Sequence, residues 1–179
     1  FLDGFNKDRG ENLVSIAPTI LNPMGIYSLK YDSIDDIPEG ATFALPNDAA
    51  NGGRALTVLE SSGYITLKDG VGINGTIYDV VENPKNFEFI ELEASQLPQQ
   101  LSEVDFAAIN TNFALEAGYN PKEDSIVLES SDSPYMNFLV VREGDEQGED
   151  VQKFIKAYHT DEVRNYINET YNGAVIPGF

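Results

Sequence analysis

The chain has 179 residues, enough for one large domain or two small lobes, and its 41% hydrophobic and 23% charged content is typical of a globular protein. Its formal charge of −19, from 30 acidic and 11 basic residues, argues against nucleic acid as a partner and against adhesion to an anionic membrane surface. It contains no cysteine, which excludes disulfides, thiol catalysis and thiolate metal sites.

The first residues predict a helix followed by two strands. Phe1 to Arg9 has the pattern of a helix end, closed by Gly10 in the left-handed conformation. Leu13 to Leu21 and Ile26 to Tyr31 have the alternating apolar pattern of strands, and the residues between them form a turn. Because the chain begins at Phe1 without a Met or a targeting signal, we expect a fragment or a processed chain.

The stretch from position 41 to position 60 predicts a strand, a tight loop and a helix. Ala41 to Leu45 is a short apolar run that ends at Pro46, which lacks the N–H of a sheet ladder. Asn47 and Asp48 then offer side-chain oxygens to the first N–H groups of a helix, and an apolar stripe follows.

Arg54 is unusual in this stretch, because the start of a helix favours negative charge. Two glycines precede it and would allow a ligand to approach the backbone closely. One interpretation is a carboxylate-sized anion site, in which Arg54 binds two oxygens and Asn47 or Asn51 orients them. The other is a surface ion pair between Arg54 and Asp48, worth about 0–1 kcal/mol. The spacing alone does not decide between them.

The rest of the chain alternates short strands with short helices. This order predicts an α/β protein with largely parallel sheets. The predicted strands are Phe87 to Leu92, Asp105 to Asn110, Ile126 to Glu129 and Asn137 to Arg142, and the predicted helices are Val71 to Asn83, Glu93 to Leu101, Phe113 to Gly118, Val151 to His159 and Asp161 to Tyr171.

Three polar loops are expected at the carboxyl ends of strands, where α/β sheets bind ligands. They are Asn47 to Arg54, Asn110 to Asn112 and Ser133 to Asn137. An Asn side chain donates to a carboxylate or accepts from an ammonium, so the three loops together indicate a pocket for a zwitterion. Asn110 and Asn137 are each also typical turn residues.

No pattern in the chain predicts covalent chemistry. His159 is the single histidine, and its position between two predicted helices favours a surface or capping role. The acidic pairs Asp35-Asp36 and Asp145-Glu146 lack the spacing of a calcium loop, and Ser133 lacks a nucleophile elbow. We therefore predict that the protein is not an enzyme and needs neither a metal nor a cofactor.

Several short blocks resemble one family, the methionine-binding lipoproteins of bacterial ABC importers. The resemblance covers essentially the whole chain in order. The blocks are Pro46-Asn47-Asp48, Asn51 with Gly53-Arg54-Ala55-Leu56, Lys68-Asp69-Gly70-Val71-Gly72, Val81 to Asn86, Glu91 to Ala94 with Gln96-Leu97-Pro98, Ile109-Asn110-Thr111, Ser133-Pro134-Tyr135 with Asn137, and Tyr171 to Val175.

The resemblance implies a two-lobed α/β clamshell of the type II periplasmic-binding-protein kind. It implies that Arg54 holds the carboxylate of the ligand, and that Asn51, Asn110 and Asn137 bind its carboxylate and ammonium groups. The implied ligand is methionine, as the L- or D-form or a close analogue. The implied partners are the membrane subunits of an ABC permease, and the implied location is extracytoplasmic, with a lipid anchor on a cysteine that precedes Phe1.

The resemblance also divides the chain. Residues 1–32 are expected in the first lobe and a crossing segment, residues 33–129 in the second lobe, and residues 130–179 again in the first lobe with the terminal helices. Family members carry further strands, a helix and an aromatic- and His-containing motif before the position of Phe1, so we expect an incomplete first lobe. Those segments carry most of the thioether cage, which leaves side-chain selectivity open.

Three functions fit these observations. The first is a binding protein that captures methionine for an ABC importer. The second is an enzyme that transforms an amino acid in the same clamshell, which the lack of a catalytic base disfavours. The third is a cell-surface binding protein with a diverged pocket for another amino acid, a peptide or a metal ion.

Overall fold

The computed structural model describes residues 2–179, and it contains helices, strands and short 3-10 turns. Phe1, where the first helix was predicted to begin, lies outside the described residues. The helices α1 to α7 are Leu2–Arg9, Ala49–Ser61, Leu97–Gln100, Thr111–Glu116, Pro121–Asp124, Glu149–Tyr158 and Asp161–Tyr171. The strands β1 to β11 are Leu13–Pro18, Ile20–Leu21, Gly25–Tyr27, Thr42–Pro46, Thr66–Leu67, Val80–Glu82, Glu88–Leu92, Phe106–Ile109, Val127–Leu128, Phe138–Arg142 and Ile176–Pro177.

The chain divides into two compact units. Pro23–Ser130 forms the central unit. The described residues through Asn22 form the terminal unit together with Ser131–Phe179. None of the helices formed by residues 2–179 combines the length and the apolar composition that crossing a membrane requires.

The central unit is built on a five-stranded sheet with the order β7-β4-β8-β3-β9. Strand β4 is parallel to both β7 and β8, and β3 is antiparallel to both β8 and β9. Strands β7, β4, β8 and β9 therefore all run in one direction, and only β3 opposes them. The prediction of largely parallel sheets is right for the pairing of β4 with β7 and β8. It is wrong for β3, which is antiparallel to β8 and β9, and for the pairs β1-β10, β2-β11 and β5-β6, which are antiparallel as well.

Both faces of this sheet are covered. Successive residues of a strand point to opposite faces, so β3, β4, β7 and β8 each contribute to two hydrophobic clusters. On one face Phe43 and Phe106 pack with Leu56 and Leu59 of α2, and the two phenylalanine rings stack with centroids 4.6 Å apart. On the other face the core includes Ala44 and Ala107 with Leu97 of α3 and Ala114 of α4. Burial of a leucine side chain contributes about 1.5–3 kcal/mol, so α2 is held chiefly by its apolar stripe.

Gly52 and Gly53 of α2 allow other parts of the backbone to pack closely against the helix. A Cβ on Gly52 would lie 2.8 Å from the carbonyl oxygen of Pro46, and one on Gly53 would lie 2.3 Å from that of Ile73. The space beside them has a volume of about 30 Å³, enough for water but not for an amino acid. The expectation that these glycines admit a ligand is wrong, because the chain's own backbone occupies the approach.

The helix predicted from Val71 to Asn83 is not formed. This segment contains two 3-10 turns, Gly72–Asn74 and Ile77–Asp79, followed by β6. Gly72 has a φ of +47°, which no α-helix accepts, and β6 pairs with β5 in an antiparallel ribbon. Strand pairing and turn chemistry outweigh the weak helical pattern there.

The terminal unit contains two small antiparallel pairs and two helices. Strand β1 pairs with β10, with an irregularity between Ser15 and Ala17, and β2 pairs with β11. The predicted terminal helices are present as α6 and α7, and Ile167 of α7 is buried. The predicted cap at Gly10 is also present, with a φ of +67°.

Candidate functional site

Three chain segments of the central unit meet at one edge of its sheet. Strands β4, β8 and β9 run in the same direction, so their carboxyl ends lie at the same edge. Helix α2 begins shortly after β4, Asn110 directly follows β8, and Glu129 directly follows β9. This edge is where ligands of α/β sheets bind.

Arg54 is buried at this edge and forms an ion pair with Glu129. Arg54 is 8% exposed and Glu129 is 9% exposed. The Nε–H of Arg54 donates to Oε1 and Oε2 of Glu129 over 3.0 Å and 3.1 Å, and Nη2 also donates to Oε2. Planar contact of this kind is the strong, charge-assisted geometry between a guanidinium and a carboxylate.

The structure excludes one of the two interpretations of Arg54, the surface pair with Asp48. Asp48 is the N-cap of α2, and its carboxylate accepts the Asn51 N–H over 3.0 Å. The alternative of a surface pair between Arg54 and Asp48 is therefore wrong. Because α2 begins at Ala49, Arg54 lies beyond the first turn, where the helix dipole weakens. A buried counter-charge, rather than a mismatch with the dipole, defines its environment.

Glu129 is held in place by backbone as well as by Arg54. Its Oε2 accepts the N–H of Met24, the residue before β3, over 2.8 Å. Thr111 at the start of α4 donates its hydroxyl to the carbonyl of Pro23 over 2.6 Å. Hydrogen bonds therefore join α2, the start of β3 and the end of β9, and a further one joins α4 to the same segment.

Asn51 and Asn110 contact each other, as expected for polar residues that follow the carboxyl ends of neighbouring parallel strands. The amide of Asn110 donates to Oδ1 of Asn51 over 2.8 Å, and the amide of Asn51 donates to the carboxylate of Asp48 over 3.0 Å. Arg54 follows Asn51 by three residues on α2 and lies on the same face of the helix. Oδ1 of Asn110 is buried and accepts no hydrogen bond from any residue that the structure describes.

Asn137 lies in the terminal unit, immediately before β10. Its N–H donates to the carbonyl of Ile20 over 2.9 Å, and its carbonyl accepts the Thr19 N–H over 2.8 Å. The loop from Ser133 to Asn137 was expected at the carboxyl end of a strand, and along the chain it lies between the carboxyl end of β9 and the amino end of β10. Its role in ligand binding stays a prediction.

Glu129 is the residue that the sequence interpretation missed. It was included in a predicted strand from Ile126 to Glu129, with no role of its own. The signal was present, since an acidic residue directly follows a short apolar run at a strand end. The signal becomes meaningful only once β9 is known to pair with β3 in the antiparallel direction, because this pairing brings Glu129 to Arg54.

His159 has a structural role at the end of α6. Nε2 of His159 lies 2.7 Å from the carbonyl oxygen of Pro18, and its ring stacks on Phe179 with centroids 4.5 Å apart. Across residues 2–179 no group of three or more His, Cys, Asp or Glu side chains is arranged to hold a metal ion.

Comparison with known proteins gives consistent matches over the whole chain. A family model described as NlpA lipoprotein matches residues 1–179. The D-methionine-binding lipoprotein MetQ of Salmonella typhimurium is 45% identical over 181 aligned positions, which cover 100% of this chain and 67% of the relative. This chain therefore spans about two thirds of the length of that relative.

Solved structures share the fold. A nutrient-binding protein from Burkholderia cenocepacia, bound to methionine, is 45% identical with a TM-score of 0.90, over 99% of this chain and 75% of that one. A periplasmic substrate-binding protein of an ABC transporter from Coxiella burnetii is 38% identical with a TM-score of 0.89, over 99% and 74%.

Sheet order, the polar edge and these matches define a class, the α/β substrate-binding proteins of the periplasmic type. Within that class the chain belongs to the NlpA lipoprotein family.

Proposed function

We propose that the protein is an extracytoplasmic binding protein that captures methionine, in the L- or D-form, and delivers it to an ABC importer. It acts by binding and release, without covalent chemistry and without a cofactor. Its relatives carry the names D-methionine-binding lipoprotein and methionine-bound nutrient-binding protein, and these names motivate the choice of methionine.

The observation that carries this proposal is that a buried cation and a buried hydrogen-bond acceptor lie at the same edge of the sheet. Arg54 supplies a buried guanidinium, which carries five N–H donors and a permanent positive charge. Asn110 supplies an oxygen that no described residue satisfies. A free amino acid offers the complementary groups, a carboxylate for the guanidinium and an ammonium for the oxygen. Leaving a buried acceptor unsatisfied costs about 1–3 kcal/mol, which an ammonium donor would offset.

Asn51 and Asn137 complete the proposed set of ligand-binding residues. Asn51 fixes the Asn110 amide through its Oδ1, and it is in turn fixed by Asp48. Asn137 is included because its motif matches the family. The proposal further includes attachment to the membrane through a lipid on a cysteine upstream of Phe1, and delivery of methionine to the membrane subunits of the permease.

A thermal-shift assay tests the proposal. The protein, as its gene encodes it, is heated with L-methionine, D-methionine, methionyl dipeptides and other amino acids. Ligand at a hundredfold above Kd stabilises a protein by about 2.7 kcal/mol, which gives a measurable rise in Tm. We expect a rise with methionine, and no rise with methionine in Arg54→Ala.

Two variants keep this test interpretable. Arg54→Met combined with Glu129→Gln removes both charges at once, so it leaves no unpaired buried charge that would prevent folding. Arg142→Ala removes an arginine whose side chain is 83% exposed and should respond to methionine as the natural protein does. A full methionine response in the Arg54 variants would refute the assignment of Arg54. No response to methionine in the natural protein would refute the function.

A further inference from the structure

We propose that Glu129 is a positioning residue, which holds the guanidinium of Arg54 in the orientation that receives the ligand's carboxylate. The consequence for the ligand rests on the proposed function. The orientation of Arg54 is a property of the protein alone and can be measured without any ligand.

An acidic side chain beside an arginine that binds an anion requires an explanation. Glu129 repels the carboxylate of a ligand, and it lies in a chain whose formal charge is already −19. Its carboxylate nevertheless contacts both Nε and Nη2 of Arg54 and is buried with it. Repulsion of the ligand must therefore be offset by something that the contact provides.

The contact provides a fixed orientation. An arginine side chain has many rotamers, and ordering them on binding costs affinity. Contact through Nε and Nη2 fixes one side of the planar guanidinium, so its plane is set before a ligand arrives. Glu129 can fix the guanidinium because it is itself held, by the N–H of Met24 over 2.8 Å and by its place directly after β9.

The two residues are 75 positions apart, and the contact joins two separate parts of the sheet edge. Arg54 lies on the helix that follows β4, and Glu129 follows β9 at the end of the strand order. Local chain geometry at Arg54 therefore does not determine the direction of its guanidinium. The direction depends on a partner that only the folded sheet delivers.

Nuclear magnetic resonance of the arginine Nε–H groups tests the orientation without ligand. The chain has four arginines, Arg9, Arg54, Arg142 and Arg164, and only Arg54 is buried. We expect one Nε–H signal that is shifted downfield and exchanges slowly with water, and that is absent in Arg54→Lys. In Glu129→Gln this signal should move towards the signals of the exposed arginines. An unchanged signal would refute the positioning role.

Calorimetric titration with L-methionine tests the consequence for binding. We expect Glu129→Gln to weaken methionine binding at least tenfold. In the Arg54→Lys background, which keeps a positive charge for the ligand, the same change should alter affinity less than twofold, because Glu129 then has no guanidinium plane to orient. The matched control is Glu149→Gln, an exposed glutamate paired with Lys153, which should leave affinity unchanged.

Each contrary result has a distinct meaning. Natural affinity in Glu129→Gln would show that the orientation of Arg54 does not matter for binding, which overturns the proposal. An equal loss in both backgrounds would show direct contact between Glu129 and the ligand, which also overturns it. If Glu129→Gln does not fold, Glu129→Asp keeps the charge on a shorter side chain and should show the same tenfold loss. If the natural protein does not bind methionine, the proposed function fails and the Nε–H signal alone decides the positioning role.

Discussion

The amide of Asn110 donates a hydrogen bond to Oδ1 of Asn51 over 2.8 Å, although the two residues are 59 positions apart. This contact joins the loop after β8 to the first turn of α2. It leaves Oδ1 of Asn110 as a buried acceptor that no residue in 2–179 satisfies. The two asparagines are thus coupled, and a change at one alters what the other presents.

Replacing Asn51 with Ala should weaken methionine binding about tenfold. The change removes the acceptor that orients the Asn110 amide, and a hydrogen bond of this kind is worth about 1–1.5 kcal/mol. Calorimetric titration measures the effect. The control is Asn74→Ala, because Asn74 lies in an exposed 3-10 turn of the same unit. Equal affinities in the two variants would mean that the Asn51 contact has no part in binding.

Replacing Gly53 with Ala should destabilise the protein by about 2 kcal/mol, although alanine favours helices. The new Cβ would lie 2.3 Å from the backbone carbonyl oxygen of Ile73, which cannot rotate away as a side chain can. Urea unfolding gives the loss of stability. Gly4→Ala in α1 meets nothing within 4 Å, so that variant should instead be stabilised by about 0.5–1 kcal/mol. A stabilised Gly53 variant would show that α2 and the turn move apart without cost.

Asp105 should make the stability of the protein fall in acid. The hydrogen bond from the Thr42 N–H, over 2.8 Å, is the largest cause that lowers the pKa of Asp105; partial burial opposes it, and Lys30 at 3.0 Å adds to it. Because the pKa is lowered in the folded state, the unfolded chain binds the proton first as pH falls. The contribution is complete above the ordinary Asp pKa of about 3.9 and is lost as pH falls through the lower folded value.

Urea unfolding of the natural protein and of Asp105→Ala measures this contribution. At pH 6 the variant should be less stable by about 1–3 kcal/mol, since Thr42 then loses the acceptor for its N–H and its hydroxyl. The difference should shrink as the pH falls below about 4. A difference that is constant from pH 6 to pH 3 would mean that packing, rather than the carboxylate charge, accounts for the effect.

Lys85 should stabilise the segment before β4. Its Nζ donates to the carbonyl oxygens of Asp35 and Ile37, each over 2.8 Å, at the end of the 3-10 turn Ile34–Asp36. Lys85→Met keeps the length of the side chain and removes these bonds, so we expect a loss of about 1–2 kcal/mol in urea unfolding. Lys122→Met, at an exposed position, should change stability by less than about 0.5 kcal/mol. Equal effects would contradict the role of these carbonyl contacts.

The sequence by itself determined the elements whose signals are local. The apolar run before Pro46, the cap at Asp48 and the apolar stripe of α2 act over a few residues, and the structure contains that strand, loop and helix as predicted. The rule that polar residues gather at the carboxyl ends of parallel strands also brought Asn51 and Asn110 together correctly. The helix predicted from Val71 to Asn83 was wrong because its pattern was weak and strand pairing competes with it.

Only the tertiary structure decided which residue faces Arg54. The nearest acidic residue along the chain, Asp48, is used as a helix cap, and the partner is Glu129, 75 positions away. That contact depends on β3 being antiparallel to both β8 and β9. Strand β9 therefore runs in the same direction as β4 and β8, and its carboxyl end lies at the edge of the sheet where α2 begins. Strand direction and order are set by the packing of the whole sheet, because hydrogen-bond ladders join residues that no local pattern connects.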